Sequence, residues 1–464
     1  MRNLLLVLAA LALSACAATP SKPTTGATKP AQAIIGVGEP QLDAGWWVRR
    51  QAQPSRVILD ADAIAAQNAK LFAVDRSVHD LQALPASLDR ATIAKWISGL
   101  SSRPERTLYD VHGLELPAAT IDALVADANV DAVPAQTPTR YGMVVRRSDL
   151  RAFPTRLRAF SSRDGTDIDR LQESALFPGT PVAIVHESRD RAWWFVVSPL
   201  YAAWIEKAGV AEGDAAAVFG YATKEPHLVV TGATARTVYT PEQPGVSELQ
   251  LDMGVRVPLL ADWPAGKPVN GQHPYTSSVI ELPVRDDAGR LAFVPALLPR
   301  TADAQPGYLP LTSENLLRQG FKFLGERYGW GHSYNARDCS GFVSEVYRSF
   351  GVTLPRNTRD MGVSPALNRI AFDPSDDHAK RLATLQGLKP GDLVFIPGHV
   401  MMVIGHVDGE PYVIHDTTGI TWRNDAGEIR RAPLNAVSVS PLTPLLGGEK
   451  SYVDVIYSVQ RIRP

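Results

Sequence analysis

Cysteine is nearly absent: the 464 residues contain two, Cys16 and Cys339. Two thiols allow one bridge at most, which excludes a disulfide-stapled scaffold. Aromatic residues are sparse at 8%, while 35 Gly and 36 Pro are spread through the chain. Those numbers exclude long coiled coils and collagen-like repeats and predict many turns and short elements. Neither charge dominates, with Lys+Arg 47 against Asp+Glu 48 and a formal charge of -1. A nucleic-acid binder normally carries a basic excess, so no nucleic-acid partner is expected. No His/Cys/Asp cluster sits at metal-ligand spacing, and no metal or organic cofactor is expected. After residue 16 no run reaches the about 18 apolar residues of a membrane-spanning helix. What remains is 45% apolar and 20% charged. That suits globular cores, and the length suits about three domains.

The first residues read as an address. Met1-Arg2 gives a positive start, and Leu4 to Leu13 is apolar but too short to span a bilayer. Leu13-Ser14-Ala15-Cys16 follows. This resembles a bacterial lipoprotein signal, which implies lipidation of Cys16 and an anchor in a membrane. Ala17 and Ala18 after the cysteine resemble the pattern that sorts to the periplasmic face of the outer membrane. Residues 17–39 read as a flexible tether. Residues 40–138 read as a helical lead domain, punctuated by Pro85, Pro104 and Pro117, with His79 and His112 in structural roles. From Tyr141 the texture turns to short strand-like runs and turns. Residues 139–225, with Trp193-Trp194-Phe195-Val196 and Tyr201 to Ile205, resemble a bacterial SH3-like domain, and a fainter echo over 226–305 suggests a second.

The last part, 306–464, carries the chemistry. Thr312 or Ser313 caps a helix; then come Tyr328-Gly329-Trp330-Gly331 and Asp338-Cys339-Ser340-Gly341. Phe342, Val343, Val346, Tyr347 and Phe350 recur at helical spacing, so Asp338 is an N-cap and Cys339 opens the helix. A helix N-terminus and a nearby imidazole favour the thiolate, whereas Asp338 opposes it. The helix end and a histidine must outweigh the carboxylate. Strands follow over Leu393 to Ile396, His399 to Ile404 and Tyr412 to His415, with Asp408-Gly409 as a hairpin turn. A two-residue turn pairs 407 with 410 and puts His399 and His415 on opposite faces. An odd loop over 407–409 sets 415 opposite 401, diagonal to 399. A shared role for the two histidines therefore predicts the odd loop. His406 lies in the hairpin region, and His332, near the cysteine in sequence, either lines the cleft or, the favoured reading, is a surface loop histidine.

Together these motifs resemble the NlpC-type murein peptidases. The fold implied is α+β: a papain-like catalytic domain behind tandem all-β SH3-like barrels and an N-terminal helical segment. The resemblance implies Cys339 as nucleophile, His399 as general base and acid, and His415 as the residue orienting His399. It implies substrate contacts from Tyr328, Trp330, Asp338, Ser340 and Thr358, the last at the end of Leu354-Pro355-Arg356-Asn357-Thr358. The long segment 359–387 departs from the family pattern. The partners implied are peptidoglycan stem peptides. A stem peptide freed from its sugar exposes an L-Ala ammonium, and selecting it takes a carboxylate and an aromatic ring. Asp149 and Tyr201, taken as exposed loop residues of the first SH3-like domain, are the candidates. Three readings stay open: a lipid-anchored murein endopeptidase, a related Cys/His amidase, and a non-catalytic wall-binding lipoprotein.

Overall fold

The computed structural model describes residues 34–463; Cys16 and its lipidation lie outside the described residues. The segment expected as a lead domain does not build a core of its own. Its front half belongs to the catalytic domain. Helix α1 (Ala44–Arg49), capped by Asp43, sinks Trp47 into the same apolar cluster as Phe342 and Ile414. Strand Val57–Leu59 pairs with Leu311–Thr312. On α2 (Ala61–Val74) the Asn68 amide donates to Gly351 O at 2.8 Å and its oxygen accepts from the Thr353 amide at 2.9 Å. The back half covers the first barrel instead. Ile93 and Ile97 of α3 (Arg90–Leu100) pack with Phe195 and Trp204, and Ile121 and Leu124 of α4 (Ala118–Asp127) pack with Phe153. Short amphipathic helices separated by prolines bury one stripe each, so each needs a neighbouring domain to lie on.

The first barrel is a seven-stranded antiparallel sheet running from Arg140–Val144 to Val210–Gly213 in sequence. Its Trp193 to Val197 strand is buried throughout, as the unbroken apolar run predicts. The region expected to form a second barrel is a three-stranded sheet centred on His227–Val230, flanked by Arg256–Pro258 and Ala304–Pro306, beside a separate long hairpin of Ser277–Arg285 and Leu291–Pro299.

The catalytic domain is a six-stranded antiparallel sheet with helices on both faces. Its strands are β1 (Asn368–Ala371), β2 (Leu393–Ile396), β3 (His399–Val407), β4 (Glu410–Thr417), β5 (Ala436–Pro441) and β6 (Ser458–Arg461), in the spatial order β1-β6-β2-β3-β4-β5. Helices α5 (Ser313–Phe321) and α6 (Cys339–Arg348) cover one face, meeting Val400, Met402 and Ile414. Segment 359–387 serves the sheet. Most of α7 (Thr358–Val363) leads away from the site to β1 at the sheet edge. Helix α8 (His378–Gln386) then covers the face opposite α6, packing Leu385 with Met401 and Val413.

The β3–β4 hairpin corrects the predicted loop. The turn has two residues: Asp408 (φ 50°) and Gly409 (φ 85°) are both left-handed, and Val407 pairs with Glu410. Parity is restored further along, because Val403 pairs with Val413 but Gly405 with Tyr412, leaving one extra residue in β3. The bulge places His399 and His415 on one face. Gly405 (φ 144°) permits it, since a Cβ there would lie 3.1 Å from the Trp47 ring.

Candidate active site

Asp338 caps α6 as the spacing predicts, its Oδ1 accepting from the Gly341 amide at 2.8 Å. Cys339 is the first residue of the helix and is buried. Burial first, and then the Asp338 carboxylate, push its thiol up to about 11. The Thr358 hydroxyl, 3.6 Å from Sγ, and the Val400 backbone N–H act in the opposite direction. Burial and Asp338 thus outweigh the Thr358 and Val400 contacts and favour the thiol.

Val400 follows His399 directly, so the start of β3 sits against Cys339. His399 Nε2 lies 2.8 Å from His415 Nδ1, and His415 Nε2 lies 3.1 Å from Ser440 Oγ. If His399 Nε2–H donates to His415 and His415 Nε2–H to Ser440, His399 Nδ1 keeps its lone pair free for a proton. Burial pushes His399 down to about 4 and takes His415 well below the ordinary imidazole value, helped by His399. The resting pair is thus neutral thiol and neutral imidazole. His406 is elsewhere: its Nε2 is 3.3 Å from Leu385 O at the end of α8.

Arg356 is the hub that sequence reasoning passed over. Its Nη2 donates to Asp338 Oδ2 at 2.8 Å and to His332 Nδ1 at 3.0 Å; Nη1 donates to Ser340 Oγ at 2.8 Å. Nε reaches into the first barrel, donating to Ser174 Oγ at 2.7 Å. Burial pushes Asp338 up, but Arg356 and His332 outweigh it and hold the carboxyl at about 2. His332 is not on the surface. It is buried, because Gly331, His332 and Tyr334 are left-handed and fold the loop inward, and its Nε2 faces Glu345 at 3.3 Å.

The first barrel forms one wall. Trp330 Nε1 donates to Gln172 O at 3.0 Å, and Gln172 Nε2 donates to Gly331 O at 2.9 Å. Tyr328 is buried near Cys339, Asp338 and Asp416, and burial first, then those acidic neighbours, push the ionisation of its hydroxyl upward. Tyr201 donates to Glu173 Oε2 at 2.5 Å, and the Arg356 charge acts on both groups. Asp149 is on a strand, not a loop. It accepts from Gln172 Nε2 at 3.1 Å and lines a different cavity, with Arg146, Arg156 and Arg158. The carboxylate beside Tyr201 is therefore Glu173. The two are 28 positions apart, and nothing local in the sequence joins them.

A buried ionic cluster locks the three modules together. Arg337, fully buried, binds Glu345 at 2.9 Å, Glu326 at 3.0 Å and Asp252 of the 226–305 region at 2.7 Å. Arg147 of the first barrel lies 3.4 Å from the same Asp252. Among the described residues no group of three or more His, Cys, Asp or Glu side chains could hold a metal ion.

Comparison with known proteins bears on the family and the fold. Residues 325–433 match the NlpC/P60 family, and residues 158–206 match an SH3 domain of the SH3b1 type. A gamma-D-glutamyl-L-lysine dipeptidyl-peptidase from Bacillus cereus (strain ATCC 10987 / NRS 248) is 28% identical over 199 residues, covering 40% of this chain. The chain spans about half (50%) of that relative's length. The structure of an NlpC/P60 endopeptidase from Photobacterium damselae subsp. piscicida aligns with a TM-score of 0.72 at 17% identity. The alignment covers 90% of this chain and 96% of that one, so the fold is shared along almost the whole length.

Proposed function

We propose, from the match of residues 325–433 to the NlpC/P60 family, that the protein is a murein stem-peptide endopeptidase. It would hydrolyse the amide between γ-D-glutamate and the diamino acid, in cell-wall turnover or recycling. The observation that carries the reading is Cys339 at the start of α6, against the strand that begins with His399 and its His415–Ser440 relay.

With thiol and imidazole both neutral at rest, the proton moves as the bond forms. His399 takes the Cys339 proton while sulfur attacks the γ-carbonyl carbon. The Cys339 backbone N–H, unsatisfied within its helix, is the donor for the oxyanion. Collapse to the thioester expels the diamino acid amine, which leaves with the proton from His399. Water then attacks the thioester with His399 as base, freeing the γ-carboxyl group and Cys339. His415 holds the imidazole plane and its tautomer throughout. Tyr328, Trp330, Asp338, Ser340 and Thr358 bound the substrate groove.

Glu173 and Tyr201 supply the reading of the peptide's free amine that Asp149 was expected to supply. Burial pushes Glu173 up, so the site accommodates its charge best when a cation arrives, such as the L-Ala ammonium. Glu173→Gln is expected to lower kcat/KM on a free-amine stem peptide about 10- to 100-fold, the worth of a hydrogen bond to a charged group. It should leave the N-acetylated peptide nearly unaffected. Steady-state kinetics on the two peptides checks this. Equal wild-type values on both would mean that the amine is not read.

The apolar run ending at Ser14-Ala15-Cys16 supports a lipid anchor, and Ala17-Ala18 after it supports the periplasmic face of the outer membrane. Cys16→Ser is expected to move the protein from the membrane fraction to the soluble one on cell fractionation. Continued membrane association would place the anchor elsewhere.

A further inference from the structure

Strand β4 carries two consecutive ionisable residues whose side chains leave on opposite faces. His415 turns to His399 and Ser440. Asp416 shares the face of Ile414, which packs on α6 in the cluster containing Cys339 and Phe342. Continuing the pairing of Met402 with Ile414 by two residues sets Asp416 opposite Val400, whose amide acts on the Cys339 sulfur.

Asp416 is 0% exposed, and neither of its carboxyl oxygens has a hydrogen-bond partner. Asp338 differs in both respects that matter: it accepts from the Gly331 and Gly341 amides and is paired with Arg356. The charged groups acting on Asp416 are Asp338 at the head of α6, and Glu326 and Arg337 in the segment before it. Two of the three are acidic, and Arg337 is already bound to Glu326, Glu345 and Asp252. The uncharged titratable neighbours are Cys339 and Tyr328, on both of which an Asp416 charge acts. A buried carboxylate with no donors and two acidic neighbours is strongly disfavoured, so the group keeps its proton. Burial, then Asp338 and Glu326, push it up to about 9.

We infer that Asp416 is a positioning residue of the nucleophile that works in its neutral form: it fills the floor under Cys339 without opposing the thiolate, and losing its proton to solvent suppresses thiolate formation. The inference rests on Cys339 being the nucleophile. It adds an acidic group that the Cys339–His399–His415 set does not contain.

The test reads the thiol itself, not peptide hydrolysis. In the full-length chain, Cys16→Ser leaves Cys339 as the sole thiol. Its alkylation by iodoacetamide is followed from pH 6 to 11, with and without Asp416→Asn. Above the value of about 9 at which Asp416 ionises, the background rate should climb less steeply than tenfold per pH unit. Asp416→Asn should keep the full slope and react about tenfold faster at the alkaline end, one unit of thiol pKa. Superimposable profiles, or a slower variant, would overturn the inference.

A second reading needs no change at 416. Infrared spectra of the Cys16→Ser protein should show an un-ionised carboxylic acid at pH 8 that disappears as the pH passes about 9. Its absence at pH 8 would overturn the inference even if Asp416→Asn did not fold. Hydrolysis retained by Cys339→Ala would instead remove the nucleophile reading, so the two failures are distinguishable.

Discussion

Cys339→Ala is expected to lower kcat/KM on muropeptides by at least about three orders of magnitude, with little change in melting temperature. In the proposed mechanism the sulfur atom forms the bond that carries the acyl group, and no other thiol lies among the described residues. Alanine suits a helix start and removes one atom from a site that α6, β3 and β4 hold in place. His399→Ala should lose a comparable amount, because the resting thiol cannot ionise without a base beside it. His415→Ala should lose about 10- to 100-fold, since an orienting group acts only through its partner. His406→Ala should remain close to wild type, its ring being held against α8. Michaelis–Menten kinetics on one purified muropeptide ranks the four. A loss at His406 larger than at His399 would move the base.

Arg356→Ala is expected to cost about 3–5 kcal/mol of stability, the usual result of removing one partner of a buried ion pair. It leaves the Asp338 carboxylate without its cation, and it strips a donor from Ser340, His332 and Ser174 at once. Lysine at 356 should not rescue, because one ammonium cannot reach four acceptors along the directions of a planar fork. Thermal and urea unfolding at neutral pH measure the loss. The effect carries a pH signature. Asp338 is held at about 2, below its ordinary 3.8, so the pair's contribution is present above the ordinary value and lost as the pH falls through the lower one. The gap between wild type and variant should therefore narrow on acidification through that window. A gap that widens there would contradict the pairing.

How much of this was legible depended on whether the signal was local. Asp338 and Cys339 announce themselves because a cap and the first helical turn are adjacent in sequence. The apolar strands and the Asp408-Gly409 turn are local too. The bulge at Ile404 and Gly405 was not, because it depends on the Trp47 ring packing over Gly405 from more than three hundred residues away in sequence. Without it, the parity argument chose the wrong loop for two histidines that do meet. The lead segment misled for a related reason: its helices are real, but what they bury belongs to two other domains. Glu173, Arg356 and Ser440 were missed because their partners lie on other strands or in another domain. His332 was misplaced because four left-handed residues in one loop, Gly331, His332, Tyr334 and Asn335, turn it inward, a conformation that no nearby residue pattern requires. Asp416 sits directly after a named site residue and was overlooked because alternation sends it to the other face.

The bond that is cut decides the function. Wild-type protein is incubated with purified stem peptides and the masses of the fragments are read. The expected products are a peptide ending at γ-D-glutamate and a fragment beginning at the diamino acid. Intact stem peptides, or fragments whose masses place the cut at any other amide, would contradict it.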